Sequence, residues 1–138
     1  MTLKTRVVCF FGLICVLLAA KVSAEEPSKY FLNKWIEIPF VDDEHLLNIR
    51  QLNNYYRHYL YVDTHWEQLD SNVWRWSVQN NGSIARILFV PGQFEDEASM
   101  RSFTIDGQPM SAMMQLEILH AIYEQVNEAG LTPYSDPE

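Results

Sequence analysis

Residues 73–90 read VWRWSVQNNGSIARILFV, two runs of alternating apolar and polar side chains on either side of an Asn-Gly pair. Alternation with a period of two predicts β-strands that bury one face. Asn81-Gly82 is typical of a type I′ turn, in which both central residues adopt positive φ. The stretch is therefore predicted to form a β-hairpin in which residue 80 pairs with residue 83.

The turn fixes which side chains of the hairpin share a face. The predicted cross-strand pairs are Val78 with Ala85, Trp76 with Ile87, and Trp74 with Phe89. A slip of one residue would expose both tryptophans to water, so burial specifies the register. The predicted core consists of Trp74, Trp76, Val78, Ile87 and Phe89, joined by Ile118 and Ile122 from a later helix. The opposite face carries Arg75, Ser77, Gln79, Arg86 and Leu88.

The chain after the hairpin predicts one further strand and a helix. An acidic loop at residues 93–99 precedes the predicted strand, Met100–Ile105. Apolar residues then recur at helical spacing from about Ser111 to Ala129. Ser111 can cap the start of this helix, and Gly130 suits a left-handed residue at its end.

The region before the hairpin predicts a first helix from about Glu44 to Leu60, because apolar residues recur there on one face. Asp42 or Asp43 can cap its first turn. The end of this helix stays open, since the residues from Tyr59 onward also fit the beginning of a strand. Residues 59–66 are therefore either helix or strand.

Together these elements predict an α+β fold. Its expected form is a two-layer sandwich, in which a three-stranded antiparallel sheet packs against an N-terminal and a C-terminal helix. The predicted organisation is a signal peptide at residues 1–24, an extended N-terminal arm at 25–42, a single domain at 43–130 and a flexible tail at 131–138.

The first 24 residues have the three parts of a cleavable secretory signal peptide. Lys4 and Arg6 form the basic start, residues 7–20 carry no charge, and Val22-Ser23-Ala24 places small side chains at the cleavage site. Two alternatives remain: an uncleaved anchor, for which the apolar run is short, and a lipoprotein processed before Cys15. Cleavage predicts a periplasmic or secreted protein with no stable membrane anchor. It also removes both cysteines, so no disulfide is expected.

The charge balance argues against a nucleic-acid partner. The chain has 10 basic and 18 acidic residues, a net charge of −8. All 18 acidic residues but only seven basic ones follow residue 24, which leaves −11 on the exported part. Charge of this sign repels phosphate backbones and anionic membrane surfaces.

No group of residues has the sequence spacing of a catalytic or metal site. None of the four histidines, which are His45, His58, His65 and His120, forms a His-x-x-x-His pair. Glu95-Asp96-Glu97 supplies carboxylates but lacks the alternating ligands of a calcium loop, so its binding of a cation stays open. No serine lies in a Gly-x-Ser-x-Gly elbow, and no glycine-rich phosphate loop occurs. We therefore predict no catalytic residues, no metal ligands and no cofactor.

The face of the hairpin opposite the predicted core is the surface best suited to a partner. Arg75, Arg86 and Leu88 share this face, and Tyr61 adds an aromatic ring near the first helix. These residues are predicted to bind another exported or envelope protein. The sequence thus favours a small non-enzymatic envelope protein that acts as an accessory, chaperone or inhibitor. The alternatives are a periplasmic carrier with an aromatic ligand pocket and a hydrolase that uses His58 or His65 as its general base.

Overall fold

The computed structural model describes residues 26–40 and 45–131 and confirms a mixed α+β fold. Its α-helices are α1 (Lys29–Leu32), α2 (Ile49–Asn54) and α3 (Ala112–Ala129), and a π-helical turn, Tyr55–Tyr59, continues α2. Its strands are β1 (Trp35–Ile36), β2 (Thr64–Asp70), β3 (Val73–Asn80), β4 (Ser83–Pro91), β5 (Glu97–Ile105) and β6 (Gln108–Pro109).

The sheet contains six strands within the described residues, so the predicted number of three is wrong. Its order is β1-β5-β4-β3-β2, with β6 paired to β5. β1 runs parallel to β5, and the other pairings are antiparallel. The sequence does not reveal β2 because Trp66 is its one buried residue, which leaves no apolar alternation. β1 and β6 have two residues each, too few to show a period.

The hairpin has the predicted register. Asn81 and Gly82 have φ angles of 54° and 83°, both positive as a type I′ turn requires. The observed pairs are Trp74 with Phe89, Trp76 with Ile87, and Val78 with Ala85. Among the residues predicted for the core, Ile118 is half-buried, and the buried ones are Trp74, Trp76, Val78, Ile87, Phe89 and Ile122.

The first helix begins later than predicted, at Ile49. The Asn48 side chain accepts from the Gln51 N–H at 2.8 Å, and the Gln51 side chain accepts from the Asn48 N–H at 3.1 Å. This capping box fixes the start of α2. Leu47, which precedes Asn48, pairs with β1 and is not helical. Its carbonyl accepts from the Ile36 N–H at 3.0 Å. The predicted start and its two candidate caps lie outside the described residues: Glu44, Asp42 and Asp43.

The segment left open between helix and strand contains both structures. The π-helical turn ends at Tyr59, and β2 begins at Thr64. Between them, Tyr61 has a φ angle of 59°, and the Val62 N–H donates to the Tyr56 carbonyl at 2.8 Å. This tight turn connects the π-helical turn to the edge strand β2.

The last helix has the predicted bounds. The Ser111 hydroxyl caps α3 by accepting from the Met114 N–H at 3.2 Å. Gly130 ends the helix with a left-handed φ angle of 76°. The buried side chains of α3 are Leu119, Ile122 and Val126. The strand predicted at Met100–Ile105 ends at the predicted residue but begins earlier, at Glu97.

Residues 25–42, predicted as an extended arm, contain a helix and a strand in their described part. Ser28 caps α1 by accepting from the Phe31 N–H at 3.3 Å. The Phe31 ring lies 6.2 to 6.5 Å, between centroids, from three rings of the sheet: Trp66, Trp74 and Phe89. Ile36 of β1 is also buried. This segment therefore supplies part of the core.

The predicted signal peptide and residues 132–138 of the predicted tail lie outside the described residues. In the part of the chain that the structure describes, no helix has both the length and the apolar character needed to span a membrane. Export therefore stays a prediction from the sequence.

Candidate functional site

The side of the sheet opposite the tryptophans carries polar residues from neighbouring strands. In the register of the sheet, Arg75 of β3 lies between Glu67 of β2 and Leu88 of β4. The next row contains His65, Ser77 and Arg86. The structure thus places on one face three of the four residues predicted to bind a partner, which are Arg75, Arg86 and Leu88.

An open depression of about 640 Å³ lies on this face, beside the edge strand β2. We call it the sheet-face depression. Polar and charged side chains form most of its lining, among them His65, Glu67, Arg75, Ser77, Gln79 and Arg86. Leu88 is half-buried next to Arg75 and is not part of the lining. The depression therefore suits a polar segment of a ligand better than an apolar one.

The two arginines of the depression differ in their contacts. Arg75 Nη1 donates to Glu67 Oε1 at 3.0 Å. Both side chains are partly exposed, so this ion pair stabilises the fold by about 1 kcal/mol or less. Arg86 is exposed and forms no ion pair within the described residues. Its guanidinium can therefore form a charge-assisted hydrogen bond with an anion from outside the chain.

Tyr61, the fourth residue predicted to bind a partner, is not part of the lining of the depression. It occupies the turn between the π-helical turn and β2, and it is 87% exposed. Tyr61 therefore does not line the depression that Arg75 and Arg86 line, although Asp63, two residues further along the chain, does.

The histidines considered as general bases lie in different places. His58 is exposed on the π-helical turn, and His65 lines the sheet-face depression. His65 is the cross-strand neighbour of Ser77, but no side-chain hydrogen bond joins the two within residues 45–131. A base activates a nucleophile through such a contact.

The aromatic residues considered as a ligand pocket pack against one another. The Trp66 and Trp74 rings meet edge to face at 6.1 Å, and Trp66 lies 6.2 Å from Phe89. Tyr56 of the π-helical turn lies 5.5 Å from Trp76. Within the described residues, these rings pack against one another on the buried face of the sheet.

A second group of polar side chains lies at the other end of the sheet, where β1 meets β5. The Trp35 N–H donates to the Asp96 carbonyl at 2.8 Å, and the Glu37 N–H donates to the Ala98 carbonyl at 2.9 Å. The chain just before α2 pairs with the other side of β1. These backbone contacts bring residue 45 next to residues 96 and 97.

The side chains of His45, Asp96 and Glu97 converge at this junction, and we call them the His45 cluster. His45 Nε2 lies 3.6 Å from Glu97 Oε2. One ligand atom from each of the three residues lies within 4.8 Å of the other two. The imidazole is stacked on the Trp35 indole, with centroids 4.7 Å apart and an angle of 9° between the rings. The stacking directs the histidine ring towards the carboxylates.

Glu97 is the buried member of this cluster, at 8% exposure. Burial raises the pKa of Glu97, and the charge and hydrogen bond of Glu37 and the charge of Asp96 raise it further. His45 acts in the opposite direction. Lys34 does not pair with these carboxylates, because its ammonium donates to the Glu95 carbonyl. Negative charge therefore dominates the junction.

Gly92 permits the close approach of backbone and carboxylate beside the cluster. A β-carbon at this position would lie 2.6 Å from Glu37 Oε2 and 2.9 Å from the Glu97 carbonyl oxygen. The Gly92 N–H donates to that carbonyl at 3.0 Å, and the Gln93 N–H donates to Glu37 Oε2. Only glycine leaves room for this arrangement, which holds Glu37 beside Glu97.

The sequence gives no signal that His45 belongs with the acidic loop. The carboxylates of residues 95–97 are recognisable, but the histidine is distant in the chain. Its approach depends on the parallel pairing of β1 with β5, and β1 is too short to be predicted.

No known protein family, no curated protein and no solved structure matches this chain. What the chain does must therefore be inferred from its own surfaces.

Proposed function

We propose that this chain is an exported, non-enzymatic envelope protein that binds a segment of another protein in its sheet-face depression. The observation that carries the proposal is the state of Arg86, an exposed guanidinium on an open sheet face with no ion pair in the described residues. The bound segment supplies a carboxylate to Arg86. Accessory, chaperone and inhibitor roles all depend on binding of this kind.

Contacts between the helical segments and the tryptophan face of the sheet support this proposal. Phe31 of α1 contacts Trp74, and the Tyr56 ring contacts Trp76. The Tyr55 hydroxyl donates to Gln125 Oε1 of α3, which links the N-terminal and C-terminal helices. Three residues of α3 belong to the same buried cluster: Leu119, Ile122 and Val126. From these contacts we propose a two-layer arrangement in which the helices cover the tryptophan face and the arginine face stays open to a partner.

The net charge of the protein determines the long-range electrostatic contribution to the association rate with such a partner. After removal of residues 1–24, seven basic and 18 acidic residues leave a net charge of −11, which repels an acidic segment over long distances. At physiological salt the screening length is about 8 Å, so contacts inside the depression decide binding. We therefore expect association at an ordinary rate without electrostatic steering, and specificity that depends on Arg86.

The proposal is tested by cross-linking in cells that produce the protein. A photoreactive residue replaces Gln79, which is exposed in the depression, and a control probe replaces Glu124, which is exposed on α3. The Gln79 probe should yield a discrete adduct with another protein, and Arg86→Glu should abolish it. Arg101→Glu is the matched control, because Arg101 is exposed on β5 outside the depression.

Two results would contradict binding at this face. One is an adduct from the Gln79 probe that Arg86→Glu leaves unchanged. The other is an adduct from the Glu124 probe alone. The export part of the proposal is tested by the mass of the natively produced protein, which should begin near Glu25. Retention of Met1 would contradict cleavage of the signal peptide, on which the predicted periplasmic or secreted location without a membrane anchor depends.

A further inference from the structure

We propose that the His45 cluster binds a divalent transition-metal ion, and that Zn²⁺ fits its donors best. This inference goes beyond protein binding, because the cluster and the sheet-face depression lie at opposite ends of the sheet. The residues of the cluster are far apart in the sequence, so their spacing does not predict a common site.

The donor set selects the class of cation. His45 offers an imidazole nitrogen, and Asp96 and Glu97 offer carboxylate oxygens. Ca²⁺ and Mg²⁺ prefer sites made of oxygen ligands alone, whereas imidazole suits Zn²⁺ and its neighbours in the first transition row. Three protein ligands of nitrogen and oxygen leave a fourth position for water, a pattern that zinc accepts.

The geometry needs only a small adjustment to hold the ion. Ligand atoms bound to a tetrahedral zinc at about 2.1 Å are about 3.4 Å apart. The three donor atoms lie within 4.8 Å of one another. His45 Nε2 and Glu97 Oε2, which are 3.6 Å apart, are already close to this separation. The exposed Asp96 side chain can move by the remaining distance of at most about 1.4 Å. Glu97 is buried and fixes one coordination position in advance.

The electrostatics of the junction independently favour a cation. The buried carboxylate of Glu97 lies beside two other carboxylates, Glu37 and Asp96. An anion removed from water is costly unless positive charge compensates it. Lys34, the nearby ammonium, donates to a backbone carbonyl and lies 4.5 Å from the centre of the Tyr30 ring. A divalent ion would supply the missing positive charge. Glu37, which is not a ligand itself, would then lie next to the ligand Glu97 and orient its carboxylate.

The test is a calorimetric titration of Zn²⁺ into the protein, produced from the full-length coding sequence without a polyhistidine tag and stripped of metal with a chelator. The unmodified protein should bind one Zn²⁺ per chain. His45→Gln should weaken binding by at least about tenfold, and Asp96→Asn should do the same. His65→Gln is the matched control, because His65 is an exposed histidine outside the cluster.

Asp96→Asn keeps the test decisive, because this exposed side chain can change without disturbing the core. Far-UV circular dichroism of each variant verifies the fold. The proposal is overturned if the protein does not bind Zn²⁺, or if His65→Gln removes binding while His45→Gln does not. It is also overturned if Ca²⁺ binds as tightly as Zn²⁺ and His45→Gln leaves both affinities unchanged.

Discussion

Replacing Trp76 by Phe should destabilise the protein by about 2 kcal/mol more than replacing Trp66 by Phe. The two indoles are cross-strand neighbours on the same face of the sheet, at 2% and 3% exposure. They differ in one contact. Trp76 Nε1 donates to Asn53 Oδ1 at 3.0 Å, whereas Trp66 Nε1 is buried with no hydrogen-bond partner within the described residues.

The magnitude follows from that difference. Each Trp→Phe change removes the same atoms from a buried site, so the cavity costs largely cancel. Loss of the bond to Asn53 costs about 1 kcal/mol. Trp66→Phe instead removes a buried N–H that has no hydrogen-bond partner. Burial of this unpaired donor costs about 1 kcal/mol or more, so its removal offsets part of the loss. The two contributions add in the difference between the variants. Trp76→Phe loses a stabilising hydrogen bond, whereas Trp66→Phe loses an unfavourable interaction.

Urea unfolding followed by far-UV circular dichroism is the suitable assay, because its signal reports mainly on the backbone and can be followed in both variants. With a denaturant slope of about 2 kcal/mol per molar, the midpoint of Trp76→Phe should lie about 1 M below that of Trp66→Phe. Equal midpoints, or a lower midpoint for Trp66→Phe, would refute the assignment of the hydrogen bond.

A double-mutant cycle with Thr64 tests the same contact more strictly. The Thr64 hydroxyl donates to Asn53 Oδ1 at 2.7 Å, so this buried oxygen has two donors. Trp76→Phe or Thr64→Val alone leaves one donor, but the double variant leaves none. Its loss should exceed the sum of the single losses by about 1 kcal/mol. Simple additivity would contradict the shared oxygen.

Two further predictions concern the start of α2 and the junction of β1 with β5. Asn48→Ala should cost about 2 kcal/mol, because Asn48 is fully buried and its capping box is lost. Urea midpoints measure this cost, and a loss no larger than that of the exposed cap variant Ser111→Ala would count against it. Burial, Glu37 and Asp96 raise the pKa of Glu97 in the folded state, so the folded protein holds this proton more tightly than the unfolded chain does. In metal-free protein, the contribution of Glu97 to the free energy of unfolding should therefore fall as pH rises above 4.5. Glu97→Gln should make the free energy of unfolding depend less on pH above 4.5, and an unchanged pH dependence would place the titration elsewhere.

The parts of the fold that the sequence predicts are those with local causes. Asn81-Gly82 sets the hairpin register, and Ser111 and Gly130 set the ends of the last helix, because each acts on its own neighbours. The later start of α2 has a distant cause: hydrogen bonds between the chain before it and β1. Strand β2 is likewise held by its pairing with β3, while its own side chains show no apolar alternation.

The two candidate sites also differ in whether local sequence or long-range pairing determines them. Period-two alternation within one hairpin is enough to place Arg75, Arg86 and Leu88 on a common face. The sequence does not predict the pair of Arg75 with Glu67, because Glu67 belongs to β2, of which only the first residues fall in the segment left open between helix and strand. The His45 cluster needs long-range pairing and a turn that only Gly92 allows, and neither leaves a recognisable spacing.

The strand order makes the two proposals independent of each other. The sheet-face depression lies beside β2 and β3, whereas the His45 cluster lies where β1 meets β5. Arg86→Glu should therefore leave the Zn²⁺ titration unchanged, and His45→Gln should leave the cross-linked adduct intact. A single variant that abolished both properties would point to a damaged fold, because the polar side chains of the two sites are on opposite ends of one sheet. Its urea midpoint, compared with that of the unmodified protein, separates that case from the loss of either site.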